Sequence, residues 1–127
     1  AWAELAGVRV ALLTGSTPRA QRTSLLALLA AGEIEIGDAC LIANKVTITD
    51  CDWHSIHDRV DPQPEFRPVK LGRNVWIGDG AFVGKGVTIG DHSVVGARSV
   101  VTKDVPAGAL AGGVPARVIS QELEIRE

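Results

Sequence analysis

Proton-transfer chemistry at neutral pH rests on three histidines in this chain: His54 and His57 within TDCDWHSIHD, and His92 further on. An ordinary imidazole titrates near about 6.5, so it can take a proton from a weakly acidic hydroxyl at physiological pH. Asp50 and Asp52 stand just before His54. A carboxylate there can orient an imidazole and stabilise its protonated form, although two solvated loop carboxylates are an equally ordinary reading. His57 is a second candidate base, or a side chain that shapes the pocket. His92 sits in a polar stretch of regular sequence, where solvent exposure is expected.

The elements that must position these residues show themselves as a period of six. From Leu71 the chain reads LGRNVW, IGDGAF, VGKGVT, IGDHSV, VGARSV, VTKDVP, and the same phase appears earlier in IGDACL, IANKVT and ITDCDW, starting at Ile36. An aliphatic residue opens each unit, and Gly often follows it. A helix would carry positions six apart to different faces, so the pattern excludes one. In eight of the nine units the fifth residue is small or β-branched (Cys40, Val46, Val75, Ala81, Val87, Ser93, Ser99, Val105), while polar or charged residues concentrate at the third and fourth places. Each unit is therefore a short strand with two inward positions, ending at a solvent-facing corner.

Three such sides make an eighteen-residue coil, and coils stacked at about 4.8 Å place like residues above one another. Three aliphatic columns are predicted: Ile36, Leu71 and Ile89; Ile42, Ile77 and Val95; Ile48, Val83 and Val101. The fold class is thus all-β, a parallel β-helix. The count breaks between Trp53 and Lys70, where WHSIHDRVDPQPEFRPVK carries three prolines and many charges. That segment, about 53–70, reads as a loop extruded from one corner.

Bulk properties fit one domain in 127 residues, with 46% hydrophobic and 22% charged residues and a net charge of −2. This balance counts against a disordered tail or a nucleic-acid footprint. Aromatic residues are only 4% and glycines number 14, which suits a core of small and β-branched side chains. Two cysteines are too few for a disulfide scaffold, and nothing resembles a signal peptide, so the cytoplasm is the expected compartment. The apolar run Ser24 to Ala31 is too short to span a bilayer and reads as a short helix or strand.

The stretch from about Glu33 to Ile119 resembles the hexapeptide-repeat O-acetyltransferases, including maltose, galactoside and O-antigen sugar acetyltransferases. Its most specific part is NVWIGDGAFVGKGVTIGDHSVVGARSVVTKDVPAGALAGGVPARVI. The resemblance implies a left-handed β-helix, usually a homotrimer with sites between subunits, acetyl-CoA as acyl donor, a sugar as acceptor, and no metal. It makes His54, where the chain leaves the helix into its loop, the catalytic base. It assigns cofactor binding to Ala97, Thr102, Lys103 and Arg117; the last two suit the pyrophosphate and ribose phosphate of CoA. Trp76, Asp52 and His57 are implied near the acceptor, although Trp76 equally suits an outward ring covered by a neighbouring subunit. Arg98 stands where the family usually has Gly.

Residues 1–32 do not follow the pattern. An altered cap, a short helix or degenerate coils all fit there, so the chain divides into an atypical segment at 1–32 and a β-helix at 33–127. Two other functions compete with acetyl transfer. One is a non-catalytic β-helix that serves as a trimerisation module. The other is a zinc enzyme like the γ-class carbonic anhydrases, for which His54, His57 and His92 have the wrong arrangement.

Overall fold

The computed structural model describes residues 33–52 and 65–123 in full, together with the backbone of three earlier strands. Those three are β1 (Trp2–Leu5), β2 (Val8–Leu13) and β3 (Ala27–Leu29). Next come β4 (Ile34–Gly37), β5 (Leu41–Ile42), β6 (Thr47–Thr49), β7 (Val69–Leu71), β8 (Trp76–Ile77), β9 (Phe82–Val83) and β10 (Thr88–Ile89). The chain ends in β11 (Val94–Val95), β12 (Val100–Val101), β13 (Leu110–Gly113) and β14 (Ala116–Ser120). There is no helix among the described residues, and so none long and apolar enough to cross a membrane.

From β4 to β12, successive strands go to successive sheets, so the chain winds around three faces. The sheet orders are β1-β2-β4-β7-β10, β14-β13-β11-β8-β5 and β12-β9-β6-β3. All pairings between coils are parallel, and the register follows the predicted columns. Ile36 pairs with Leu71 and Leu71 with Ile89; Ile42 pairs with Ile77 and Ile77 with Val95; Ile48 pairs with Val83 and Val83 with Val101. All nine side chains are buried, as are the eight at fifth positions. Alternation within a strand as short as Trp76–Ile77, one residue out and one in, is enough to build this core. Cys40 and Cys51 are both buried. Burial pushes the Cys40 thiol up, and its Sγ donates to the Gly72 carbonyl at 3.1 Å.

Polar third and fourth positions form the corners. Asn74, His92 and Arg98 adopt φ of 55°, 61° and 57°, left-handed values that turn the chain sharply between two strands. Glycine at the second position has a separate cause, which is the closeness of the next coil. A Cβ on Gly78 would lie 2.7 Å from the Ala97 amide nitrogen, and one on Gly72 would lie 2.9 Å from that of Asp91. At Gly84 the nearest atom is the Val101 carbonyl oxygen at 3.4 Å, an ordinary contact. Gly78→Ala is therefore expected to cost about 3 kcal/mol, as overpacking against backbone, and Gly84→Ala no more than about 1 kcal/mol. Urea unfolding midpoints of the two variants check this; equal losses would contradict it.

Three features depart from the regular repeat. After Val101 the coil is two residues short: Val105 bridges Ile89, and Val95 pairs with Ala111. VTKDVP is thus a shortened side and not a sixth full unit, and the Thr88 amide donates to Asp104 Oδ1 at 2.8 Å. Beyond it, β13 and β14 form an antiparallel hairpin that ends the second sheet. At the other end, β2 and β3 extend the first and third sheets in parallel, Leu12 pairing with Ile36 and Leu28 with Ile48. Within the apolar run Ser24 to Ala31, Ala27–Leu29 is a strand.

The described residues on either side of the segment expected as a loop, about 53–70, pair with each other and form a neck. Cys51 and Phe66 form an antiparallel bridge, and the Arg67 amide donates to the Asp50 carbonyl at 2.8 Å. Regular structure resumes at Val69, so Val69 and Lys70 belong to β7 and not to the loop. Trp53, His54, His57 and the rest of 53–64 lie outside the described residues.

Candidate active site

The limb leading toward His54 is tied down residue by residue. Thr49 Oγ1 donates to the Cys51 carbonyl at 2.8 Å and accepts from the Cys51 amide at 3.3 Å. Asp50 is fully buried, and its Oδ2 accepts from the Glu33 amide at 2.8 Å. That carboxylate is built into the coil, which favours a structural role for it over orienting an imidazole. Asp52 is more open, with 57% of its side chain exposed, and its Oδ2 meets Lys85 Nζ at 2.8 Å. Sequence reasoning placed Lys85 only among polar corner residues. Its partner became visible when the coil stacking put VGKGVT beneath the loop neck.

On the outer side of the second sheet, Trp76 stands between Leu41 and Val94 in neighbouring strands, with half of its surface exposed. Trp76 and Ala97 line one groove of about 510 Å³ with Ala43, Gly78, Asp79 and Leu110. Lys103 and Arg117 line a second hollow of about 130 Å³ with Asp104, Ala116 and Val118. The candidate cofactor residues thus fall into two places: Ala97 beside Trp76, and Lys103 with Arg117. Thr102 is exposed next to Lys103. The hairpin of β13 and β14 is what brings Arg117 back to Lys103, and nothing in the six-residue period signals that return.

Arg98 occupies its left-handed corner with the side chain laid toward Gly80, where an added Cβ would lie 3.3 Å from Arg98 Cγ. His92 departs from the expectation of solvent exposure. It is half-buried, and its Nδ1 lies 3.1 Å from Asn74 Nδ2 on the preceding coil. Stacking of equivalent corners causes this, since Asn74 and His92 are eighteen residues apart. Among the described residues no group of three or more His, Cys, Asp or Glu is placed to hold a metal ion.

Residues 68–103 match the family model described as bacterial transferase hexapeptide (six repeats). The galactoside O-acetyltransferase of Escherichia coli K12 is 46% identical over 90 residues, which cover 69% of this chain and 44% of that protein. Among solved structures, a maltose O-acetyltransferase from Clostridium difficile 630 superposes with a TM-score of 0.69 at 34% identity, covering 91% of this chain and 67% of that one. A hexapeptide-repeat acetyltransferase from Vibrio cholerae O1 biovar eltor, complexed with acetyl coenzyme A, gives a TM-score of 0.78 at 31% identity, covering 91% and 61%. The chain belongs to the hexapeptide-repeat acetyltransferase family. Its all-β architecture of parallel sheets fits the left-handed β-helix of that family. The chain spans about half the length of the curated relatives it matches.

Proposed function

We propose that this protein transfers an acetyl group from acetyl-CoA to a hydroxyl of a sugar or sugar-containing acceptor. His54 takes the hydroxyl proton as the oxygen attacks the thioester carbonyl carbon. The new C–O bond forms, the C–S bond breaks, and the CoA thiolate leaves and takes up the proton, with no acyl-enzyme. The observation that carries this reading is the hollow lined by both Lys103 and Arg117, two cations from the most specific motif. They are proposed to hold the CoA phosphates, with Thr102 beside them and Ala97 in the cleft. Trp76 and His57 are proposed to face the acceptor, while Asp52, also expected there, is engaged by Lys85. The zinc reading is not favoured, because His92 lies on a later coil than the segment that carries His54 and His57.

The working unit is proposed to be a trimer of left-handed β-helices with sites between subunits, the apolar outward column of Leu41, Trp76, Val94 and Leu110 lying at the interface. Residues 1–32 are proposed as an N-terminal cap and 53–64 as the extruded loop. Analytical ultracentrifugation at micromolar concentration is expected to show a trimer; a well-folded monomer would count against it. Calorimetry separates the enzyme from a trimerisation module. Saturable acetyl-CoA binding is expected, whereas no heat at millimolar cofactor would leave the module as the better reading.

A further inference from the structure

The two limbs of the loop neck are held to the underlying corner by different means. The returning limb is fixed by backbone: the Gly86 amide donates to the Arg67 carbonyl at 3.1 Å, and Arg67 is tied to Asp50. That contact is close because Gly86 has no side chain; a Cβ there would lie 3.2 Å from Arg67 Cδ. The outgoing limb is fixed by a side chain. Asp52, the last described residue before His54, is held by the 2.8 Å ion pair to Lys85 Nζ. Lys85 is the better covered partner, with 29% of its side chain exposed against 57% for Asp52, so its stem lies along the protein while its ammonium reaches the limb. Lys85 stands between Gly84 and Gly86 in the sequence.

We propose that Lys85 is a positioning residue for acetyl transfer: by holding Asp52 it fixes the direction in which the chain enters the segment that carries His54. This rests on His54 being the base. An ion pair as exposed as this one contributes little to stability, so its removal leaves the fold intact. Catalysis is more sensitive, because a base displaced by an ångström no longer meets the hydroxyl in line.

The test uses the full chain with Lys85→Ala, Lys85→Arg, Asp52→Asn, the Lys85→Ala/Asp52→Asn double variant and His54→Ala, reading kcat, KM for acetyl-CoA and melting temperature. Lys85→Ala is expected to lower kcat at least about tenfold, with KM for acetyl-CoA within about twofold of the parent. Lys85→Arg should recover most of the loss, and the double variant should be no slower than the slower single variant, because both substitutions remove one interaction. Unchanged kcat in Lys85→Ala, or losses that multiply in the double variant, would overturn the proposal. Should Lys85→Ala fail to fold, Asp52→Asn breaks the same pair with almost no change of shape; parental kcat there would likewise overturn it. His54→Ala separates the two levels. If it keeps full turnover, the base assignment itself fails; if it is inactive while Lys85→Ala is unimpaired, only the role of Lys85 fails.

Discussion

His54→Ala should lower kcat for acetyl transfer by about 10²–10⁴-fold while leaving acetyl-CoA affinity nearly unchanged. A sugar hydroxyl is a poor nucleophile at neutral pH, and only a group able to accept its proton during attack removes that handicap. Cofactor binding is proposed for residues of the last coils and the β13–β14 hairpin, so truncating the imidazole at position 54 should not reach it. The pH profile carries an independent signature. In the parent protein, kcat/KM should fall toward acid pH as the base is protonated, and that acid limb should disappear from the residual activity of His54→Ala. His57→Ala supplies the contrast, since a pocket-shaping residue alters KM for the acceptor more than kcat. Loss of the acid limb in His57→Ala, with His54→Ala active, would exchange the two assignments.

Removing either cation of the shared hollow should weaken acetyl-CoA binding by about 10–100-fold, because each is proposed to make charge-assisted hydrogen bonds to phosphate. Lys103 and Arg117 line the same small space, so the double variant should lose less than the product of the single losses. Salt should reproduce the effect in part: affinity of the parent falls with ionic strength, and that slope flattens in Lys103→Ala and Arg117→Ala. Arg117→Lys should restore only part of the binding, since an ammonium cannot grip phosphate with two parallel donors. Titration calorimetry at two salt concentrations decides this. Unaltered affinity in both single variants would remove the hollow from the cofactor site.

The columns of the helix were legible in the sequence because stacking parallel coils makes residues eighteen apart direct neighbours. Ile42, Ile77 and Val95 carry the inward period without interruption except at the loop. The recurrence of Gly at second positions was also visible, but its cause, the approach of the next coil's backbone as at Gly78 and Ala97, needed coordinates. The shortened coil escaped notice because Val105 is aliphatic and buried in either register, so a slip of two residues leaves the pattern outwardly intact. Strands β2 and β3 were hidden for a related reason. Leu12 and Leu28 are sixteen residues apart, where two regular sides would take twelve, and Leu28 and Ile36 are eight apart instead of six. A period search fails when each side has its own length. Of the candidate site, residue types were visible and partnerships were not: Lys85 with Asp52 and Asn74 with His92 depend on which corners stack.

Acetyl-CoA turnover against a panel of free sugars and nucleotide sugars tests the central claim most directly, following CoA thiol release and identifying the product by mass spectrometry. The account predicts at least one acceptor for which a sugar O-acetyl ester appears, one CoA being released for each ester formed, and for which the reaction is lost in His54→Ala. Thiol release with no acetylated acceptor, or binding of acetyl-CoA without turnover on any hydroxyl offered, would contradict it.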